Sequence, residues 1–428
     1  MTIETKLNQI VDNKIENDLD SDSESVDLTE NKRQKFPYKR IGKSFLVVAI
    51  LVAVFTIVLP TALYDRIGLV DDGLIFRALF GVFMFCLFIC LINIYYLGGE
   101  SQAWDADTDV NDLDFSFSNV IAIIGIIIEF VQICSFSFNA TTPFLGSEAL
   151  RHTNYIAIPY SEGISFKVMY WVMFAFAFTP YIFIVMVRLI VHIMTRRNGE
   201  DFTSQFMTNH QQNIYSVLWF LVNTMYLPVI GTMFGGIDCT FTDSEATLDS
   251  DPVTHCLKGL HVPYIICSLL ALVMYYPAAS FAQSQTQSIS DIKFKPRIVF
   301  IFAQGKVILA AITVFATTLS AVYLSAVIVV NFIFLIINVL LKPCLVEWVN
   351  RMRTVFFSFC LLTTICSCIA YGGVDQYIPL VLLIVGYVAL AVCFAIYYQI
   401  RESVILFFKS KLFKNQKSTL SSSQVANP

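Results

Sequence analysis

Charge is what this chain has least of. Asp, Glu, Lys and Arg make up 14% of its 428 residues, where soluble domains carry about 25%. That shortage excludes a water-soluble multi-domain enzyme, because so few charges cannot clothe its surface. Histidine is also scarce: the five sit at 152, 192, 210, 255 and 261, without the paired spacing on one helix that haem or metal transfer across a membrane would need. Neither G-x-x-x-x-G-K nor G-x-G-x-x-G occurs, and G-x-S-x-G and H-E-x-x-H are missing too. An ATP-driven pump is therefore not expected, and the chain is not read as an enzyme. Nothing implies a cofactor, a bound metal or a nucleic-acid partner.

What is abundant is apolar surface. Hydrophobic residues reach 56%, mean hydropathy is +0.67, and 38 Phe and 19 Tyr are present. These values predict an all-α, polytopic helical membrane protein whose first partner is the lipid bilayer. A hydrocarbon core of about 30 Å takes about 20 apolar residues of helix. Ten windows meet that need: 44–63, 74–97, 120–138, 166–194, 214–236, 262–281, 298–318, 321–341, 354–371 and 377–398. The apolar run 298–341 is too long for one crossing and is split near Thr317, Thr318 and Ser320 into a tight hairpin. The window 166–194 is longer than a bilayer requires, and Pro180 is expected to kink it.

Lys and Arg in the loops set the orientation. With ten spans, both tails and 21 of the 28 basic residues lie on the cytoplasmic side, Arg351 and Arg353 among them. Arg66, Arg151, Lys167 and Lys258 face outward, and Arg77, Arg188 and Lys306 fall inside spans. The organisation read from this is a disordered cytoplasmic arm over 1–43, a ten-helix membrane domain over 44–400 and a cytoplasmic tail over 401–428. No cleavable signal peptide is expected, since the first apolar run starts at residue 44. The location is the plasma membrane or an endomembrane; the oligomeric state stays open.

Of the eleven Cys, only Cys239 and Cys256 share a polar loop, 237–261, which this topology turns outward. An oxidising compartment favours a disulfide between them; a metal site with His255 and His261 is the alternative. The sequon Asn139-Ala-Thr141 also faces outward and is a possible glycosylation site. The loop 98–119 is acidic, but Asp105-x-Asp107-x-Asp109 lacks the Gly and distal Glu of a calcium loop.

One stretch resembles known proteins. Tyr226-Leu-Pro228, Asp238-Cys239, Leu248-Asp-Ser-Asp-Pro252, Cys256 and His261, then Lys342-Pro-Cys344 and Asn350-Arg351-x-Arg353, are similar to the C-terminal membrane region of large polytopic proteins of protists and algae. Those regions are likened to transient-receptor-potential and polycystin channels. The resemblance covers about 214–400 and implies a helical membrane fold without assigning an activity.

Ionisable groups deep in a span are costly and mark candidate sites. Arg77 and Arg188 lie near span ends and can snorkel. Glu129 sits mid-span, about 14 Å from either end, with Gln132 and Gly125 on the same helix face. Lys306 lies about 12 Å into its own span, on a face continuing through Thr313, and Asn331 and Asn338 share a face of the next helix. Two readings follow. In one, Glu129, Gln132, Lys306, Thr313 and Asn331 line a hydrated path for an ion or small solute, in a channel or transporter. In the other, they fix packing through hydrogen bonds or one ion pair, and the protein is a receptor or scaffold recognised through its outward loop.

Overall fold

The computed structural model describes residues 47–55, 69–97, 116–138, 154–158, 164–198, 200–241, 246–285, 292–316 and 320–424. The arm 1–43, the acidic residues Glu100 to Asp114 and the sequon at Asn139 lie outside the described residues. The first window is described only over 47–55, which is helical, with Ala49 buried against the core.

The elements that follow are α1 (Leu69–Leu97), α2 (Phe117–Ser135), the single turn α3 (Asn154–Ala157), α4 (Ile164–Ala177), α5 (Thr179–Asn198) and α6 (Glu200–Gly235). Three short strands come next: β1 (Cys239–Phe241), β2 (Ala246–Leu248) and β3 (Asp251–His255). The chain ends in α7 (His261–Gln285), α8 (Pro296–Phe315), α9 (Ser320–Leu341), α10 (Glu347–Tyr371) and α11 (Tyr377–Gln424). Among the described residues, nine helices are long and apolar enough to cross a membrane, and they match the second to tenth sequence windows. The chain is a polytopic, all-α membrane protein with one small antiparallel sheet, which the hydropathy windows did not show.

Pro180 does more than kink its helix. The window 166–194 is two helices that part at Phe178, so the single kinked span expected there is corrected. Pro180 is the second residue of α5, where a missing N–H costs nothing. The hairpin after α8 falls where the polar residues placed it, with α8 ending at Phe315 and α9 starting at Ser320. At the other end of the chain, α11 runs unbroken for 48 residues, about 72 Å at about 1.5 Å per residue, and so continues past the apolar stretch that ends at Ile400.

Helix α6 is the hub, packing on α2, α3, α4, α5, α7 and α8. Of its span 67% is buried, against 6% for the spans in α5 and α11, whose apolar side chains face outward where lipid would lie. Pro228 inside α6 has no N–H to give the carbonyl of Thr224 four residues back. Gln132 fills that gap, donating Nε2 to Thr224 O at 2.8 Å and to Ile156 O at 3.1 Å. A second support joins the connections on the face away from the sheet: Lys295 N donates to Pro343 O at 2.7 Å and Leu345 N to Lys293 O at 2.9 Å. Asn350 clamps this crossing, accepting from Cys344 N at 2.9 Å and donating to Cys344 O at 2.6 Å. Lys342-Pro-Cys344 and Asn350 are thus one structural unit.

Small residues set the closest approaches. A Cβ on Gly305 would collide with the Phe334 ring, so α8 and α9 approach this closely because that position has no side chain. Gly305→Ala is expected to lower stability by about 1–3 kcal/mol, the usual cost of overpacking, and Phe334→Leu in the same chain to restore part of it. Gly81→Ala, inside α1 with no atom within 4 Å of its Cβ, should instead raise the thermal-denaturation midpoint slightly in the same assay, since Ala is favoured over Gly in a helix by about 1 kcal/mol.

Candidate functional site

The two deepest charges of the sequence meet. Lys306 Nζ on α8 lies 2.7 Å from Glu129 Oε1 on α2, and Arg353 Nη2 on α10 lies 3.4 Å from Glu129 Oε2. Lys306 also donates to Asn223 Oδ1 on α6 at 3.2 Å. Four helices therefore converge on one carboxylate. Glu129 keeps 12% of its side-chain surface, while Lys306 and Arg353 are buried. That residual surface opens on a cavity of about 30 Å³ shared with Trp219, Asn223, Gln283 and Phe294. A volume of this order holds one or two waters or one small ion. Gly125, one turn before Glu129, lets Trp219 close the wall, with only 3.0 Å between its Cβ position and the indole.

Arg353 corrects an expectation. It belongs not to a cytoplasmic loop but to the second turn of α10, buried among aromatic rings. Its guanidinium lies 4.6 Å from the Phe302 ring centroid, 5.0 Å from Phe294 and 5.4 Å from Phe357. Ring faces attract a cation and are cheaper to bury than water-seeking groups, which explains how a second positive charge stays in the core. The sequence held a signal: Phe357 stands one turn beyond Arg353, where a helix puts both on one face, but a window cut at the last charge stopped one residue short. Asn223 was also passed over, although it is a polar residue near the middle of the 214–236 window.

The other expected path residues are engaged elsewhere. Gln132 supports the proline gap of α6. Thr313 donates back to Leu309 O at 2.8 Å. Asn331 donates to Thr364 Oγ1 at 3.0 Å, and Asn338 to Thr354 Oγ1 at 2.8 Å, so this face of α9 stitches α9 to α10. Glu129 and Lys306 are brought together, while Gln132, Thr313, Asn331 and Asn338 bond to other partners.

At the far end of the bundle, Cys239 and Cys256 form a disulfide that closes the sheet. The sheet has the order β1-β2-β3, with Cys239 opposite Leu248 and Thr247 opposite His255. His261 lies beside the disulfide, but its donors are committed. Leu257 N donates to Nδ1 at 2.8 Å, so a neutral ring carries its proton on Nε2, which faces Gly236 O at 3.2 Å. With both sulfurs bonded and Nε2 protonated, this donor set does not fit a metal, and His255 lies outside the cluster. Lys167 reaches the sheet from α4, its Nζ 3.0 Å from Asp251. Asp238 is buried there; desolvation and the neighbouring Asp249 push its carboxyl up to about 8, against the pull of Arg77.

Taken together, the helices and their buried polar junction define a multi-pass membrane protein. No protein-family model matches the chain, and no solved structure matches it. Two Dictyostelium discoideum proteins are similar to it. Tiny macrocysts protein B is 24% identical over 289 residues, 62% of this chain and 19% of that protein. Tiny macrocysts protein C is 24% identical over 196 residues, 42% of this chain and 13% of that protein. The chain thus spans a fifth or less of the curated relatives it matches. These matches extend the likeness to large proteins, and they lend nothing to the comparison with transient-receptor-potential or polycystin channels.

Two measurements check the electrostatics. Removing the shared anion leaves two cations facing each other, whereas removing Arg353 leaves a neutral pair. Glu129→Gln should therefore cost roughly 3–5 kcal/mol, and Arg353→Met distinctly less, in denaturation of the detergent-solubilised protein. For Asp238, the folded carboxyl holds its proton up to about 8 while an ordinary one loses it near 3.8. Stability is lost as pH rises between those values, because the unfolded chain releases the proton first. Asp238→Asn removes that loss, so its gain in Tm over the natural chain should grow from about pH 5 to about pH 8 and then level off.

Proposed function

We propose that this protein moves an ion or small solute across the membrane, and that the Glu129–Lys306–Arg353 junction is where the substrate's charge is met. The carrying observation is an unbalanced charge beside a space. One carboxylate faces two cations around a cavity of about 30 Å³, and among the described residues no second carboxylate lies within ion-pair distance of either cation. An excess charge away from water costs several kcal/mol. A small anion in the cavity offsets it, which favours anions over cations as the substrate. In this reading both tails are cytoplasmic, the membrane is the plasma membrane or an endomembrane, and no covalent chemistry is involved.

A second reading rests on the sheet. Val253 and Leu260 are 80% and 66% exposed at the edge of the disulfide-closed loop, which suits a receptor or scaffold recognised there by another protein. Reconstitution separates the two. In phosphatidylcholine liposomes loaded with chloride, the natural chain should release chloride, Lys306→Met should slow release at least about tenfold (about 1.4 kcal/mol), and Lys306→Arg should retain most of it. No anion flux from a folded, disulfide-bonded protein would overturn the transport reading and leave the sheet.

A further inference from the structure

The face of the bundle away from the sheet carries a group of cations that the charge junction does not use. The segment leading into α8 forms an antiparallel bridge with the turn between α9 and α10, at Phe294 and Cys344. In extended backbone neighbouring side chains alternate between two sides. Phe294 and Cys344 are buried, and Lys293 next to Phe294 is exposed. Lys295 holds Lys342 from both sides, its Nζ donating to Leu341 O at 3.0 Å and its backbone N–H to Pro343 O at 2.7 Å. Lys342 and Arg351 in turn share the Glu347 carboxylate, at 3.6 and 3.8 Å. One connected strip thus gathers Lys293, Lys295, Lys342 and Arg351, with Arg297 exposed on the first turn of α8.

The charge of this strip is one-sided. Over 291–297 and 342–351 the sequence sets five basic residues against Asp291 and Glu347, a surplus of three. Lys342 leaves 55% of its side chain open to solvent even while it pairs with Glu347. Its backbone is left-handed, with φ +42°, a conformation that glycine adopts more readily. Apolar side chains adjoin the strip directly: Leu340 and Leu341 end α9 exposed, Leu340 at 73%, and Trp348 is exposed on the first turn of α10. Cations bordered by exposed leucines and a tryptophan fit the headgroup level of a bilayer, where charge meets hydrocarbon. An acidic soluble protein or a nucleic acid would leave the leucines uncovered.

We infer that this strip binds the headgroup of a bisphosphorylated inositol phospholipid, whose acyl chains run along Leu340 and Leu341. A phosphate monoester carries about −1.5 to −2 at pH 7, so two of them match a surplus of three. Phosphatidylserine, with one net charge, leaves most of that surplus unmet. The disulfide marks the sheet face as the oxidising side, so the strip meets the opposite, cytosolic leaflet, where anionic lipids lie. This site stands apart from the proposed transport junction and does not depend on it.

The test titrates the full chain in phosphatidylcholine nanodiscs with a fluorescent phosphatidylinositol bisphosphate and with fluorescent phosphatidylserine. The natural chain should hold the inositol lipid at least about tenfold more tightly (about 1.4 kcal/mol). Lys293→Gln and Lys342→Gly should each weaken it about fivefold, the value of one basic residue near an anionic headgroup, and the two together should weaken it more than either alone. Lys342→Gly should do so without lowering the thermal midpoint, because glycine accepts this φ; that separates lost binding from lost folding. Lys258→Gln, at an exposed lysine on the sheet face, should leave the affinity as it is. Equal affinity of the natural chain for the two lipids would overturn the inference, and so would full affinity in the Lys293→Gln, Lys342→Gly double variant. Equally tight binding of soluble inositol trisphosphate would also overturn it, by showing a site for free phosphate rather than for lipid.

Discussion

The middle of this bundle is arranged around one carboxylate held away from bulk water. Glu129 has to be compensated inside the protein, and compensation comes from α8 and α10 at once, through Lys306 and Arg353. Each cation then makes its own demands. Lys306 takes Asn223 from α6 as a further acceptor, and Arg353 takes three aromatic rings. In a bilayer, where apolar side chains gain nothing by choosing one another over lipid, such polar ties carry much of the specificity of helix association. The junction therefore settles which faces of α2, α6, α8 and α10 point inward.

The same economy governs the backbone. Pro228 opens the hub helix at Thr224, and the exposed carbonyl is met by a side chain from α2 rather than by solvent. The connections on the face away from the sheet are paired to each other and clamped by Asn350, which holds the start of α10 and hence Arg353 in register with Glu129. On the opposite face, a disulfide closing a 17-residue separation restricts the unfolded loop, a constraint worth about 3 kcal/mol in the chain-entropy account. Rigid ends and a polar middle leave the weakly buried faces of α5 and α11 to the lipid.

Much of this was legible in the residues. Glu129 and Lys306 stood out because each is a charge too deep to snorkel, and depth follows directly from position in a helix. The hairpin between α8 and α9 was legible because 44 apolar residues exceed any bilayer, and the cysteine pair because it was the only one in a polar loop. The partners of Gln132, Thr313 and Asn331 were not legible, because a helix face says which residues share a side, not what stands opposite. Arg353 was missed because a charge at a window's edge reads as a boundary when nothing indicates the rings that will cover it. The break at Phe178 was underestimated because hydropathy is blind to backbone geometry.

The scarcity of charge determined the solvent, and the few deep charges determined where to look; both are local properties of a segment and its length. Which charges pair is not local. Glu129 meets a lysine and an arginine that lie far away along the chain, the arginine 224 positions on, and no periodicity connects them. Nor could residue order show that α1 and α8 border a common cleft. Those facts arise only when the helices pack, because a buried polar group takes whichever partner the tertiary structure brings within reach.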